Sequence, residues 1–419
     1  MTVENVLAKY QSDHLILLVG GNPLPNAVAA QLLAASKANI WLLHSGGDRD
    51  GEASTKSVAE NLEIYLRGKN KGWTIYLEPI PSADNIGIKN RVQEIVKQRK
   101  LNGRIGLHYT GGTKSMSIHT YRELEHLLSN NNPRPIFSYL DPRRLALRVD
   151  GHGTESSQLI PLIKNDLLRQ QLAMTPDELG QLHGYERATA NSNWATPEDT
   201  PGLLDLCREI AQVNGTDKGF AAWHKWVYKE QHRELPTSAK NPGLESVTAA
   251  FNKLCGIAQA TPDELAAKLL PTKPNARLTS CQAWFRGEWL EEYVLWSVRR
   301  TKNSFISFSQ KGFNYKVADD FQLDVVVMIS YQLFVFSCIT TADKDRAKEH
   351  LLEAYVRARQ LGGDEARVAL VCCYDDALRL QNEVSRVWDA EGKVKVFGMR
   401  ELKNLTQHLA DWFQQQTNL

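Results

Sequence analysis

Apolar and amphipathic segments alternate regularly over the first third of the chain. The apolar runs have the length of buried strands and occupy 14–20, 39–45, 73–80, 104–110 and 134–140. The segments between them follow a helical pattern at 24–36, 55–68, 84–100 and 114–129. Parallel strands buried on both faces give continuous apolar runs. The order therefore predicts an α/β fold whose first domain, residues 1–155, is a doubly wound, Rossmann-like parallel sheet with helices on both faces.

The alternation stops in the middle of the chain. Residues 156–275 carry three helix-start signals of the form Thr-Pro-acid-acid, at Thr175, Thr196 and Thr261. Threonine caps a helix, proline fits the first helical position, and the acids complement the helix dipole. We predict a mostly helical connecting region here.

The last part, residues 276–419, has a different order of elements. A helix over 281–300 is followed by three strands at 313–317, 321–329 and 333–340. The pattern then predicts a helix over 343–361, a strand at 366–374, a helix at 376–388, a strand at 393–399 and a helix at 401–415. This order predicts a second, separate α/β domain.

The composition is typical of a globular protein that is not inserted in a membrane. The chain has 419 residues, 42% hydrophobic and 23% charged, with a formal net charge of +2. That charge does not by itself indicate a nucleic-acid-binding protein. The six cysteines form no CxxC pair, which favours buried, reduced thiols in a cytoplasmic protein. The longest apolar run, 325–338, is too short to span a bilayer, and no membrane association is expected.

Three glycine-containing loops follow strands of the first domain, at 20–26, 45–48 and 110–115. Carboxyl ends of parallel strands share one edge of a sheet, where helix N-termini offer free N–H groups to anions. Thr110-Gly111-Gly112-Thr113-Lys114 combines glycines, hydroxyls and a lysine at a helix start, which suits a phosphate. It is not a P-loop, because Thr113 separates glycine from lysine. Ordinary tight turns are the alternative.

Two of these loops resemble a known family. Gly21-Asn22-Pro23-Leu24-Pro25-Asn26 after the first strand, and Thr110–Lys114 after the fourth, resemble the CRISPR-associated Rossmann-fold (CARF) domains of ancillary nucleases in type III systems. The resemblance continues at 287–292, 323–326 and 357–365. It implies a homodimer that binds a cyclic oligoadenylate as activator, with the tetra-adenylate the expected ring. The implied ligand-binding residues are Gly21, Asn22, Asn26, Ser45, Thr110, Gly111, Gly112, Thr113 and Lys114.

The resemblance also implies that the last domain is a restriction-endonuclease-like domain of the PD-(D/E)xK type. In that superfamily a helix glutamate and a strand aspartate bind Mg²⁺ or Mn²⁺, and the next strand supplies Glu-x-Lys. Glu291 and Asp324 fit the first two positions. The next strand has Ser337-Cys338-Ile339 instead, so both diagnostic side chains are absent.

The helix over 343–361 offers replacements for the missing pair. Lys344 and Lys348 lie one helical turn apart beside the apolar stripe, from which they could reach over the strand ends. Ser337 followed by Glu353 resembles superfamily members in which the carboxylate has moved to the next helix, although helical spacing separates Glu353 from the lysines. The expected catalytic residues are therefore Glu291, Asp324, Ser337, Lys344, Lys348 and Glu353, with Glu291, Asp324 and Glu353 as metal ligands.

The sequence leaves three functions open. The first is a metal-dependent endonuclease acting on DNA or RNA in CRISPR antiviral defence after cyclic oligoadenylate binds. The second is a sensor with a degenerate nuclease domain that binds nucleic acid or a partner. The third is cleavage of the cyclic nucleotide by the CARF domain itself. A modest basic cluster, Arg299, Arg300, Lys302 and Lys311, is an expected contact for a phosphate backbone or an ordinary solvated surface.

Overall fold

The computed structural model of the protein describes residues 7–46, 53–99, 101–131, 133–188, 194–229, 234–273, 275–316 and 321–417. Gly47 and Asp48 of the second glycine loop lie outside these residues. No helix in the described ranges combines the length and apolar character needed to cross a membrane.

The N-terminal domain contains a seven-stranded sheet in the order β3-β2-β1-β4-β5-β6-β7. Its strands are β1 (Ser12–Leu18), β2 (Ala34–Ser45), β3 (Thr74–Ile80), β4 (Ile105–His108), β5 (Ile136–Asp141), β6 (Ala146–Val149) and β7 (Gln158–Pro161). Neighbouring strands among the first five are parallel, whereas β6 and β7 add an antiparallel edge. The predicted doubly wound sheet is confirmed, and the antiparallel extension is an addition to it.

Four helices connect the parallel strands: α1 (Leu24–Leu33), α2 (Lys56–Lys69), α3 (Asn85–Gln98) and α4 (Lys114–Leu127). The α1 helix is buried on nearly all sides. Its many alanines allow this close packing, because a small side chain lets a helix backbone approach its neighbours. The other three helices are amphipathic and bury one face each.

The connecting region is mostly helical, as predicted. Its elements are α5 (Asp166–Gln171), α6 (Pro176–Leu182), β8 (Glu186–Arg187), α7 (Leu203–Asn214), α8 (Asp217–His224), α9 (Glu245–Cys255) and α10 (Pro262–Leu269). Thr175 and Thr261 cap α6 and α10 through hydroxyls that accept from N–H groups in the first turn. The helix predicted after Thr196 is wrong. Thr196 bonds Asp199 within a turn, and Gly202, at a φ of +93°, delays the next helix to Leu203.

The C-terminal domain contains a six-stranded sheet in the order β13-β12-β11-β10-β9-β8. Its strands, apart from β8, are β9 (Phe308–Lys316), β10 (Phe321–Ile329), β11 (Gln332–Ile339), β12 (Arg367–Cys372) and β13 (Val394–Phe397). The helices are α11 (Trp289–Arg300), α12 (Lys344–Gly362), α13 (Ala377–Val387) and α14 (Leu405–Thr417). Strands β8 to β11 are antiparallel and β11 to β13 parallel. The connecting region thus contributes an edge strand to this sheet.

The two sheets share one continuous hydrophobic core through the connecting region. A second cluster of buried side chains fills the opposite face of the N-terminal sheet, under α3 and α4. All six cysteines are free thiols, four of them buried. This agrees with the expectation of reduced cysteines.

Candidate functional site

The loops after β1 and β4 touch each other backbone to backbone. A Cβ on Gly111 would lie 2.1 Å from the Leu18 carbonyl oxygen, and one on Gly20 would lie 2.9 Å from the Gly112 nitrogen. Gly112 itself has a φ of +73°. Glycine is required here because any side chain would separate the loops. This contact places both loops at one edge of the sheet.

Thr110 and Thr113 hold the second loop in place. The Thr110 hydroxyl accepts from the Leu140 N–H at 2.7 Å, and the Thr113 hydroxyl caps α4 by accepting from the Met116 N–H at 3.1 Å. Lys114 is exposed at the first position of α4. The helix N-terminus and this lysine together favour an anion.

A cavity of about 350 Å³ lies at these loops. From the N-terminal domain it is lined by Gly20, Gly21, Asn22, Pro25, Thr110, Gly111, Gly112 and Pro142. Five of the residues expected from the resemblance therefore line one cavity, and Thr113 and Lys114 follow directly at the start of α4. The remaining wall comes from the end of α12 in the C-terminal domain.

Asn26 and Ser45 lie elsewhere. Asn26 is buried within α1 and its amide donates to the Leu18 carbonyl at 2.8 Å, so it fixes the end of β1. Ser45 is also buried, and its hydroxyl donates to the Ala53 carbonyl at 2.7 Å. Both side chains thus form hydrogen bonds to the backbone that stabilise the fold, and neither residue lines the cavity.

The C-terminal domain brings two acids together from separate elements. Glu291 lies in the first turn of α11, and Asp324 lies on β10, one residue before the Val325–Phe336 pair of the β10–β11 ladder. The Cys338 N–H donates to Asp324 at 2.8 Å. Both residues are half-buried and line the same cavity.

The pKa values of both acids are raised. Burial raises the pKa of Glu291 well above its usual value, and the nearby Asp324 raises it further. Burial also raises the pKa of Asp324, although the Cys338 N–H and the neighbouring His350 oppose this. Within the described ranges, no group forms a hydrogen bond or ion pair with the Glu291 carboxylate. Two adjacent half-buried carboxylates of this kind are stabilised by a shared cation.

Lys311 is a cation that the fold supplies near Glu291. It extends from β9 to α11, with its ammonium 2.9 Å from Glu288 and 2.8 Å from Glu292. Burial alone would lower the pKa of Lys311, but Glu292, Glu288 and Glu291 raise it above its usual value. Lys311 therefore remains protonated and contributes positive charge rather than a base. The sequence indicated it only as one member of a basic cluster.

A cavity of about 310 Å³ opens beside the Glu291–Asp324 pair. It is also lined by Ser337 and Cys338 of β11 and by His350, Glu353 and Arg357 of α12. Glu353 is half-exposed and pairs with Arg357 at 2.5 Å. The structure thus brings Glu291, Asp324, Ser337 and Glu353 to one cavity. Glu353 reaches it because α12 packs on the same sheet, which helical spacing alone did not indicate.

Lys344 and Lys348 do not belong to this cavity. Both ammonium groups bind Glu383 of α13, with 2.8 Å between Lys348 and Glu383. They therefore join α12 to α13, and the expectation that they reach over the strand ends is not met. The acid that attracts them lies 35 residues or more away in the sequence.

Glu291 also lines a second, larger cavity of about 570 Å³. Arg187, Trp194 and Lys273 of the connecting region form one wall, and Arg299 and Lys311 lie on the other. Arg299 pairs at 2.6 Å with Glu198, which also lines this cavity. The connecting region thus forms part of a groove that leads to the half-buried acids.

The donor chemistry at Glu291 and Asp324 fits a hard divalent cation, because both ligands are carboxylates. No cluster of three or more His, Cys, Asp or Glu side chains in the described ranges is close enough to hold a metal ion. The site therefore offers two half-buried carboxylate ligands, and Glu353 lines the same cavity.

Comparison with known proteins agrees with this architecture. Residues 280–416 match the family model described as the Card1-like endonuclease domain. The whole chain is similar in fold to Can2 from Sulfobacillus thermosulfidooxidans, solved in complex with cyclic tetra-adenylate, with 14% identity, a TM-score of 0.65 and 98% coverage of both chains. It is also similar to protein VC1899 from Vibrio cholerae, with 16% identity, a TM-score of 0.66 and coverage of 96% of this chain and 98% of that chain. A sequence search of curated proteins finds no match.

These findings confirm the predicted fold class over the full length of the chain. The family model confirms the expected resemblance to an endonuclease over the C-terminal domain.

Proposed function

We propose that this protein is an endonuclease of type III CRISPR defence that a cyclic oligoadenylate activates. The observation that carries the proposal is the half-buried, mutually repelling Glu291–Asp324 pair, which lines a cavity in a domain similar to the Card1-like endonucleases. Enzymes that hydrolyse phosphodiesters with metal ions need such a pair of carboxylates.

The activator half of the proposal rests on the loops at the edge of the N-terminal sheet. Glycine backbones, hydroxyl groups and the start of α4 surround a cavity there. The structurally similar Can2 was solved with cyclic tetra-adenylate, and we propose the same ring for this chain. A symmetric ligand shared by two copies would favour a two-fold homodimer. The six free cysteines fit a cytoplasmic location.

In the nuclease half, Glu291 and Asp324 would hold Mg²⁺ or Mn²⁺, with Glu353 as the third carboxylate. The bound metal would polarise the phosphodiester and lower the pKa of the attacking water. Lys311 offsets the charge of Glu288 and Glu292, which reduces the repulsion that a polyanionic strand meets at the acids. Arg187 and Lys273 in the wall of the groove attract the phosphate backbone of DNA or RNA.

The test combines purified protein, cyclic tetra-adenylate and Mg²⁺ or Mn²⁺ with supercoiled DNA, single-stranded DNA and single-stranded RNA. We expect cutting of at least one substrate that requires both the activator and the metal and stops with EDTA. Intact substrates under all of these conditions would overturn the nuclease proposal. The same reactions, searched for linear oligoadenylate, test whether the N-terminal domain degrades its own activator.

One observation favours a second function, a sensor without cutting activity. Ser337 and Ile339 stand where the superfamily has Glu-x-Lys, and no three-ligand cluster is present in the described ranges. Such a protein would bind nucleic acid or a partner after activation. Asp324→Ala separates the two functions: loss of cutting supports the enzyme, whereas wild-type protein that binds DNA or RNA without cutting supports the sensor.

A further inference from the structure

The cavity at the glycine loops, lined by Gly20–Asn22 and Thr110–Gly112, is called the activator cavity below. The C-terminal domain forms part of its wall. The last turn of α12 and the residues after it, Arg359, Gly363, Asp364 and Glu365, face the glycine loops of the N-terminal domain. Gly363 has a φ of +62°, and a Cβ there would lie 2.2 Å from the Asn22 side-chain nitrogen. The two domains are therefore in direct contact at the cavity.

The end of α12 is held in place from several sides. The ring of His183, in the connecting region, bonds the Leu361 carbonyl at 2.8 Å, and the Gln332 amide donates to the Glu365 carbonyl at 3.0 Å. The buried Arg367 also donates to the Glu365 carbonyl, at 2.9 Å. A side chain presented from this turn therefore has a well-defined position at the cavity.

Arg359 and Asp364 form an ion pair across this turn. Their guanidinium and carboxylate are 2.8 Å apart, and both side chains are about half-exposed. Lys393 also contacts Asp364, at 3.2 Å. Burial would raise the pKa of Asp364, but Lys393 and Arg359 hold it below its usual value, so the carboxylate stays ionised. A guanidinium that faces an anion site is thus occupied by an internal carboxylate.

We propose that Arg359 of the nuclease domain binds a phosphate of the activator, and that the phosphate replaces Asp364 on the guanidinium. The inference rests on the proposed activator being a cyclic oligoadenylate. Arginine forms bidentate bonds with phosphate as readily as with carboxylate, so the exchange conserves the hydrogen bonds of the guanidinium.

The exchange acts on a helix that lines both cavities. Glu353 and Arg357 line the cavity beside Glu291 and Asp324, which is called the nuclease cavity below. On α12, Glu353 lies six residues before Arg359, which is about 9 Å along the helix axis at about 1.5 Å per residue. The same helix thus carries both the proposed activator contact and Glu353, beside Glu291 and Asp324.

Binding of cyclic tetra-adenylate to the full chain tests the proposal by calorimetry. Arg359→Gln should weaken binding about 10- to 100-fold, the range for loss of a charge-assisted contact. Asp364→Asn should strengthen it about 3- to 10-fold, because the guanidinium is released. The double variant should regain only a small part of that loss, because Asp364, which also lines the cavity, acts mainly through Arg359. Arg346→Gln, an exposed arginine at the other end of α12, is the matched control and should bind like wild type.

The outcomes separate this inference from the proposed function. If wild type binds and cuts but Arg359→Gln binds within twofold of it, or Asp364→Asn binds more weakly, the exchange is wrong and the activated nuclease stands. If wild type binds no cyclic tetra-adenylate, both fail. Thermal unfolding of each variant verifies folding. Should Arg359→Gln not fold, Arg359→Lys, which keeps the charge but loses the bidentate geometry, replaces it in the same comparison.

Discussion

The activator cavity and the nuclease cavity are built in opposite ways. The first is formed mainly by the glycines of two contacting loops and a capped helix start, with charged side chains from the end of α12 on its remaining wall. The second brings together charged side chains of α11, β10 and α12 that are far apart in the sequence, with Lys311 of β9 near Glu291. Because of this difference, we expect single substitutions to change cutting and activator binding in different ways. Loss of one charge disables the nuclease cavity, whereas the activator cavity is sensitive mainly to added bulk and to local charge.

The largest expected effect is that of Asp324→Asn. The amide oxygen still accepts the Cys338 N–H, so the fold is kept while the negative charge is lost. We expect cutting to fall at least about 1,000-fold, in the range for loss of a metal ligand or a main source of electrostatic stabilisation. Activator binding should stay within twofold of wild type, and the melting temperature should rise because repulsion with Glu291 is relieved.

Asp345→Asn, an exposed acid at the start of α12, is the control and should cut normally. Retained cutting in Asp324→Asn would contradict the assignment of this carboxylate. A parallel loss of activator binding would contradict the separation of the two cavities.

The second prediction compares the stability and the cutting activity of Lys311→Met with those of Lys344→Met. Removal of Lys311 leaves Glu288 and the buried Glu292 without their cation, so we expect a loss of about 3–5 kcal/mol in the free energy of unfolding and at least about 100-fold in cutting. Lys344 is partly exposed, so its replacement should cost about 0–1 kcal/mol and leave cutting intact.

Denaturant titration and cutting assays measure both variants. Lys311→Met with Glu292→Gln should recover part of the stability, because one uncompensated acid is removed, but not the cutting. If Lys344→Met abolishes cutting while Lys311→Met does not, the α12 lysines serve the nuclease cavity and our assignment of Lys311 is wrong.

At the activator cavity, we compare two glycines of the contacting loops. Gly111→Ala places a methyl group against the Leu18 carbonyl and should cost about 1–3 kcal/mol of stability, with weaker activator binding. Gly21→Ala meets no atom within 4 Å and should keep wild-type stability within about 0.5 kcal/mol. Equal melting temperatures for the two variants would show that the loops are not packed as described.

The smallest expected effect is a pH dependence at Glu365, which lines the activator cavity. Burial, and to a smaller extent repulsion from Asp364, raises its pKa to about 7, although its own backbone N–H, Arg367 and Lys393 oppose this. The carboxyl is neutral below pH 7 and ionised above it. An anionic activator should therefore bind about 3- to 10-fold more weakly at pH 8 than at pH 6.

The contribution of Glu365 to folding stability also decreases as pH rises. The unfolded glutamate ionises near 4.5, so the native state binds more protons between about pH 4.5 and 7, and the contribution of Glu365 decreases as pH rises through that window. Glu365→Gln should remove both dependences, as measured by calorimetry and thermal unfolding from pH 5 to 8. An unchanged pH profile in this variant would assign the effect to another group.

The sequence by itself was sufficient to predict features that depend on residues close together in the chain. The apolar runs indicated the parallel strands, the capping motifs at Thr175 and Thr261 indicated their helices, and the Thr110–Lys114 loop contained most of its anion-binding chemistry in five consecutive residues. Asp324 could also be chosen, because a charge inside an apolar strand is costly unless it is paired or bound to a cation.

Only the tertiary structure decided where the remaining charges go. Lys311 meets α11 because β9 pairs beside β10, and Lys344 and Lys348 turn to Glu383 because α13 packs next to α12. The end of α12 reaches the glycine loops through contact between two domains. Local patterns determine which element forms, whereas a charged side chain takes the partner that packing brings near, and that partner can lie anywhere in the chain.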